Sequence, residues 1–279
     1  VERILTGQPA ILTHDIRDAD GVQVTVDDDA VTVRVIAGIE LGYLHEGVAA
    51  ARSADGKWRV TLPAPDQLGP WIVEWSCEID GIDRVDTTTA EVVGGHLFDV
   101  NELREFDEEF EDAVKVPAEK IREARTISED RIETVAGVAF VPRRREDTLI
   151  SDGRPLLLLP KLAVREVEVV SVNGEVVDDG WELDTKRDAL TRAGGWNAGD
   201  EVNVWYSHGL DQPPGPVRRA AMMLATEVLV PSSLPARATT QSTEVGTFRL
   251  SIAGRDGKTG IPEVDAVCAA YGRQRPAVG

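Results

Sequence analysis

The chain has 279 residues, of which 42% are hydrophobic, and it carries a formal net charge of −19. At about 150 residues per domain this length points to two folded units. The absence of any run of 18 apolar residues excludes a spanning helix, and two cysteines, Cys77 and Cys268, exclude a disulfide framework or a cysteine-based metal cage.

The N-terminal VERILTGQPA lacks the basic and apolar regions of a signal peptide, so intracellular assembly is expected. Residues 1–95 read as antiparallel β. Val22, Val24 and Val26 alternate with polar residues, as do Val31, Val33 and Val35, with three aspartates between as a turn. Trp58, Val60 and Leu62 repeat the pattern, and Trp71, Val73, Trp75 and Cys77 do so again before a turn at Asp80-Gly81. Strands with one face to bury, at this spacing, predict a sandwich of immunoglobulin-like architecture without the inter-sheet disulfide. The three tryptophans fall on inward positions and read as core. The rival reading makes them platforms on a module that binds glycan or a host protein.

Gly94-Gly95 marks a hinge where composition turns helical. Asn101 can cap a short helix over 102–112, and Pro117 fits the first turn of a stronger one over 118–135. That helix presents Ile121, Ala124, Ile132 and Val135 near one face, while Arg125 and Ser128 leave the stripe incomplete. The triplet Arg143-Arg144-Arg145 reads either as a solvated turn paired with Glu146 and Asp147, or as a subunit contact or guide for DNA. From about 154 to 208 the period returns to two, with strands at 156–159, 167–172, 176–177 and 202–206 and a hairpin turn at Asn173-Gly174. A helix over 216–230 follows, burying Val217, Ala221, Leu224 and Val228. Arg218 and Arg219 near its start oppose the helix dipole, which suits either an acidic partner or solvent.

Residues 231–243 are polar and extended, and such a segment cannot offset its ordering entropy of about 1–2 kcal/mol per residue alone. A strand through Thr247, Phe248, Leu250 and Ile252 comes next, then a loop with Gly254, Gly257 and Gly260, then a helix from Pro262 with Val264, Val267, Cys268 and Tyr271 at spacings of three and four. Apolar faces after a polar tether predict an arm, over 231–279, that folds onto another molecule.

Catalytic and metal signatures are not found. His14, His45, His96 and His208 form no HExxH pair. Ser207-His208-Gly209 lacks the glycine before the serine of a nucleophile elbow. Gly257-Lys258-Thr259 lacks the phosphate-loop spacing, because position 252 is isoleucine. The acid pairs Glu108-Glu109 and Asp178-Asp179 are adjacent and read as solvated. No enzyme activity and no cofactor are expected. Charge is unevenly placed: residues 1–95 hold 7 basic and 17 acidic side chains, 96–210 hold 15 and 26, and 211–279 hold 8 and 6. An acidic body repels phosphates, so sequence-specific DNA binding is not expected.

SHGLDQPPGPVRRAAMMLATEVL at 207–229 and STEVGTFRLSIAGRDGKTGIPEVDAVCAAYG at 242–272 resemble the head-to-tail adaptor (connector) proteins of long-tailed bacteriophages. VAGVAFVPRRRE at 135–146 is similar to that family's helix end and following strand. The resemblance spans about residues 96–272. It implies a virion protein at the capsid–tail neck, assembled in the host cytoplasm as a ring of about twelve subunits. That ring would lie beneath the portal and continue the DNA channel. Its partners would be the portal protein, a tail-side stopper or connector, other copies of itself and the passing genome. The resemblance makes residues 96–230 an α+β ring body, with a β-meander at 154–208 projecting toward the channel or the next tail component. The portal-contacting arm would carry Thr247, Phe248, Arg249, Leu250, Ile252, Ile261, Val264, Val267 and Tyr271. Arg143, Arg144, Arg145, Arg218 and Arg219 are candidates for subunit or channel contact. Residues 1–95 take no role from the resemblance. A free monomer that assembles on the portal is expected.

Overall fold

The computed structural model describes residues 2–18, 20–23, 30–37, 42–53, 56–79, 81–230, 240–243, 246–249 and 259–272, with backbone alone for 240–243 and 246–249. The chain is a mixed, strand-rich α/β protein whose buried residues fall into three apolar clusters.

The N-terminal part contains β1 (Glu2–Leu5), β2 (Ala10–His14), β3 (Thr32–Ala37), β4 (Gly42–Ala49), β5 (Ala51–Arg52), β6 (Trp58–Leu62), β7 (Gly69–Ile79) and β8 (Ile82–Val93). Two sheets, in the orders β1-β8-β7-β3-β4 and β2-β6-β5, face each other across one core. Alternation sets the inner faces. Val33 and Val35 of β3, Trp58 and Val60 of β6, and Trp71, Val73 and Trp75 of β7 are all buried. The Trp75 indole donates to the Thr88 hydroxyl at 3.0 Å, satisfying its one polar atom. Since Trp58, Trp71 and Trp75 are at most 3% exposed, the platform reading of these side chains does not hold. The strand expected through Val22 is not formed there; Val22 is exposed, and Val24 and Val26 lie outside the described residues. β1 runs parallel to β8 and sets Arg3 beside Glu91.

The second cluster is helical. α1 (Val100–Phe106) starts at Asp99, two residues before the expected cap. The Asp99 carboxylate accepts from the amides of Asn101 and Glu102, and Glu102 reaches back to the Asp99 amide, closing a capping box. A 3-10 turn (Glu108–Phe110) buries Phe110, and then come α2 (Ala118–Ala136) and, after the strands below, α3 (Gly215–Leu229). Gly137 ends α2 with φ near +70°, a conformation that favours glycine.

Between these helices lie β9 (Arg143–Ile150), β10 (Leu156–Leu158), β11 (Val164–Val172), β12 (Glu175–Val176), β13 (Trp181–Asp184), β14 (Ala189–Arg192) and β15 (Glu201–His208). They form sheets ordered β12-β11-β15-β9 and β10-β14-β13, with their own core around Leu190, Trp196, Val204 and Tyr206. Asn173 and Gly174, both at positive φ, turn β11 into β12. The β insertion starts at Arg143, earlier than expected, because β9 pairs with β15 along eight residues.

The chain continues with β16 (Thr240–Thr243), β17 (Gly246–Arg249) and α4 (Pro262–Tyr271). Val264 and Cys268 of α4 are buried in the same cluster as Val217, Ala221 and Leu224 of α3 and Ile132 of α2. At the end of α4, a Cβ on Gly272 would lie 2.8 Å from the carbonyl oxygen of Ala136, so the ends of α4 and α2 abut. Placing this helix in an arm beyond residue 231 is therefore corrected: it belongs to the subunit's own helical core.

Candidate functional site

The Gly94-Gly95 hinge is a tight crossing. The Gly94 amide donates to the Pro142 carbonyl at 2.9 Å, and a Cβ on Gly94 would come within 2.7 Å of the proline ring. Around that crossing the sandwich meets α2 and β9 through buried ions. Arg3 of β1 reaches Glu129, Asp130 and Glu133, and its side chain is only 2% exposed. Glu129 also accepts from the Leu97 amide at 2.6 Å. Arg143 joins Glu91 of β8 to Glu133 of α2, so one carboxylate ties both arginines together. The polar positions that interrupt the stripe of α2 are all buried: Glu129 binds Arg3 of β1, Arg125 donates to the Phe98 carbonyl at 3.4 Å, and the Ser128 hydroxyl donates to the Arg125 carbonyl at 2.8 Å. Burial alone would push the Glu129 carboxyl up, but His96, Arg3 and the Leu97 amide outweigh it and hold it below the usual glutamate range. For Glu133 burial prevails over Arg143 and Arg3, and its carboxyl is pushed up.

The arginine triplet is a strand, not a solvated turn, and its pairings with the adjacent acids are mostly replaced by distant ones. Arg144 pairs with Glu168, lies over the Trp205 ring at 5.2 Å and approaches the Leu68 carbonyl at 3.5 Å. Gly69, whose φ near +132° favours glycine, lies against that side chain. Arg145 alone pairs nearby, with Asp147, whose other oxygen accepts from the Tyr206 hydroxyl. Arg143 and Arg144 are at most 9% exposed, so their cationic groups face the interior of this subunit.

Beside the crossing is a cavity of about 450 Å³ between β1, the end of α2, β9, Lys161 and the end of β15. His208 lines it, 3% exposed, with an Nδ1 that has no hydrogen-bond partner. Burial, with Lys161, Arg143 and Arg145 adding to it, pushes this imidazole down to about 3, so it is neutral at physiological pH. Gly209 follows at φ near +97°; a Cβ there would fall 2.2 Å from the Val141 oxygen, so this turn excludes every side chain. Among the described residues no group of three His, Cys, Asp or Glu side chains could hold a metal ion.

Arg218 pairs with Glu102 of α1, while Arg219 stands 3.9 Å from Glu263 of α4 and over the Phe106 ring. Both keep substantial exposure and pin helices of the same subunit. Of the proposed arm residues, Val264 is fully buried, Ile261 and Val267 pack against the helical core, and Tyr271 is 40% exposed. Thr259 is buried and bound to Asp265: its amide and hydroxyl donate to that carboxylate at 2.6 and 2.7 Å, making this stretch the entry turn of α4. Thr247, Phe248 and Arg249 lie on β17, which pairs with β16 from Thr240↔Arg249 to Thr243↔Gly246. Among the described strands these two pair only with each other. Leu250, Ile252, Gly254 and Gly257 lie outside the described residues.

No protein-family model matches the chain, and no curated protein matches it. Among solved structures, a chain of the neck of an empty GTA particle computed with C6 symmetry is 14% identical, covering 66% of this chain and 93% of its own length, at a TM-score of 0.46. A likeness that loose fixes neither fold nor role.

Proposed function

We propose that this chain is a structural neck protein of a phage-like particle, a head-to-tail adaptor whose copies form a ring beneath the portal and continue the DNA channel. One observation carries the reading: between α3 and α4, which share one core, the chain forms the β16–β17 hairpin, whose strands pair only with each other among the described strands. A two-stranded hairpin is marginal in water on its own and gains its stability from a further strand or packing surface. The portal supplies that surface. The docking element is then a loop anchored at both ends, with Thr247, Phe248 and Arg249 on its second strand, and not a free terminal arm. The resemblance of 207–229 and 242–272 to phage adaptors supports this placement. The charge of −19 suits a conduit, since a wall that neutralised phosphates would hold the passing duplex.

The role is mechanical, in a virion assembled in the host cytoplasm, with a monomeric free chain that closes into a ring on its portal. The discriminating experiment replaces residues 240–249 with a glycine-serine linker of equal length and measures capture by the portal protein. Lost capture with an unchanged unfolding midpoint is the expected result. Full capture by the replaced protein refutes the docking role. Removing everything after 242 would be a poorer test, because it also takes Val264 and Cys268 out of the core.

A further inference from the structure

We propose that the cavity at the crossing is a binding site for a small oxyanion of the phosphate class, held by Lys161, Arg143, Arg145 and His208. Three observations converge on it. The Lys161 side chain lines the cavity and enters no ion pair among the described residues. Arg143 and Arg145 also line it, and each keeps a buried Nε with no hydrogen-bond partner; both terminal nitrogens of Arg143 are paired, but only one of Arg145, with Asp147. His208, nine-tenths and more buried, contributes a partnerless Nδ1.

Buried polar atoms are ordinarily satisfied, and several unpartnered ones on side chains that line a single cavity point to a missing partner. The charges nearest His208 give the sign. Lys161, Arg143 and Arg145 all disfavour its protonation, and no carboxylate offsets them at that ring. Guanidinium and ammonium groups supply only donors, and a neutral imidazole joins them as a donor in the tautomer with its proton on Nδ1, so a ligand rich in acceptors suits the set. A tetrahedral oxyanion has enough acceptor oxygens for such a set, and charge-assisted bonds of this kind are the strong ones. Three carboxylates also line the cavity, Glu91, Asp130 and Glu133, and each is paired with Arg3 or Arg143, whereas Lys161 is not paired among the described residues.

Two sources share this chemistry, free phosphate and the phosphodiester of nucleic acid. The full chain, in phosphate-free buffer at ionic strength held constant with sodium chloride, is titrated with inorganic phosphate and in parallel with a short DNA duplex. The imidazole ¹⁵N resonances of the four histidines report binding. With phosphate, the expected result is a saturable shift of one imidazole, identified by its loss in His208→Gln. Lys161→Ala should weaken the apparent affinity about tenfold or more. Lys161 is half-buried and outside the ion network, so this variant should fold normally. A shift with the duplex as well would assign the bound group to nucleic-acid phosphate and keep the site. Unmoved His208 resonances with both ligands, or phosphate binding indifferent to Lys161→Ala, would overturn the proposal.

Discussion

The crossing at Gly94–Pro142 and the hairpin β16–β17 are built on opposite terms. At the crossing, Arg3 and Arg143 are held by carboxylates from two other elements, and the backbones touch too closely for a side chain. At the hairpin, two four-residue strands pair only with one another among the described strands. Both regions are polar in sequence, yet one is bonded to several elements of the subunit and the other, among the described strands, pairs only with itself. Polarity alone therefore says little about where a segment belongs; what matters is whether complementary groups exist in the same chain. The crossing fixes the sandwich on the helices, and the hairpin is the element we propose for docking.

The contrast can be broken most directly at Glu129. Glu129→Ala leaves the Arg3 cation buried without one of its main counterions, and losing one member of a buried pair costs about 3–5 kcal/mol. Denaturant unfolding should show that loss with little dependence on salt. A change within about 0.5 kcal/mol, as at an ordinary surface position, would mean that the crossing is wet and loose.

A smaller effect tests where α4 belongs. Val264→Ala should cost about 2 kcal/mol in the isolated subunit, as for a buried aliphatic side chain truncated in a packed core. No loss would return this helix to the role of an arm awaiting a partner.

His208 offers a pH-dependent test. Its value in the folded chain, about 3, lies below the ordinary 6.5 of the unfolded chain. Between those values the unfolded state takes up a proton that the folded state refuses, so this group lowers stability as pH falls from about 6.5. From pH 6 to 4.5 the contribution is about 2 kcal/mol. Stability of the parent chain and of His208→Gln, measured at both pH values, should diverge by that amount in slope. Parallel slopes would place the imidazole in water.

The smallest effect is expected at the hairpin. Exchanging 240–249 for a flexible linker should change the stability of the free subunit by no more than about 0.5 kcal/mol, the range of surface changes. A loss of several kcal/mol would mean that the hairpin is packed within its own subunit and would erase the contrast.

Much of the regular architecture is legible in the chain. Alternation at 31–35, 58–62 and 71–77 marks inward faces correctly, since each strand buries one side and the period of two carries that directly. The helices expected over 118–135 and 216–230 span Ala118–Ala136 and Gly215–Leu229, because Pro117 and Pro216 punctuate their starts. Asp99 with Glu102 was a readable capping box that Asn101 obscured. The crossing was not legible. Arg143 finds Glu91 across 52 positions, and Arg3 finds Glu129 across 126, distances at which no local pattern carries a signal. Three arginines in a row therefore look like a solvated surface until the fold brings acids to them. The fate of α4 was hidden for a related reason: a short apolar stripe looks the same whether it covers a neighbour or its own core.

β1 is one of the two border strands of the five-stranded sheet, with β4 at the other side, and such borders are templates on which a second polypeptide can zip, a route to fibres and precipitates. Here the border carries a charged side chain turned inward and locked onto α2, one of the devices by which border strands resist such additions. The ion network therefore bears on this border, and not on β4 at the opposite one.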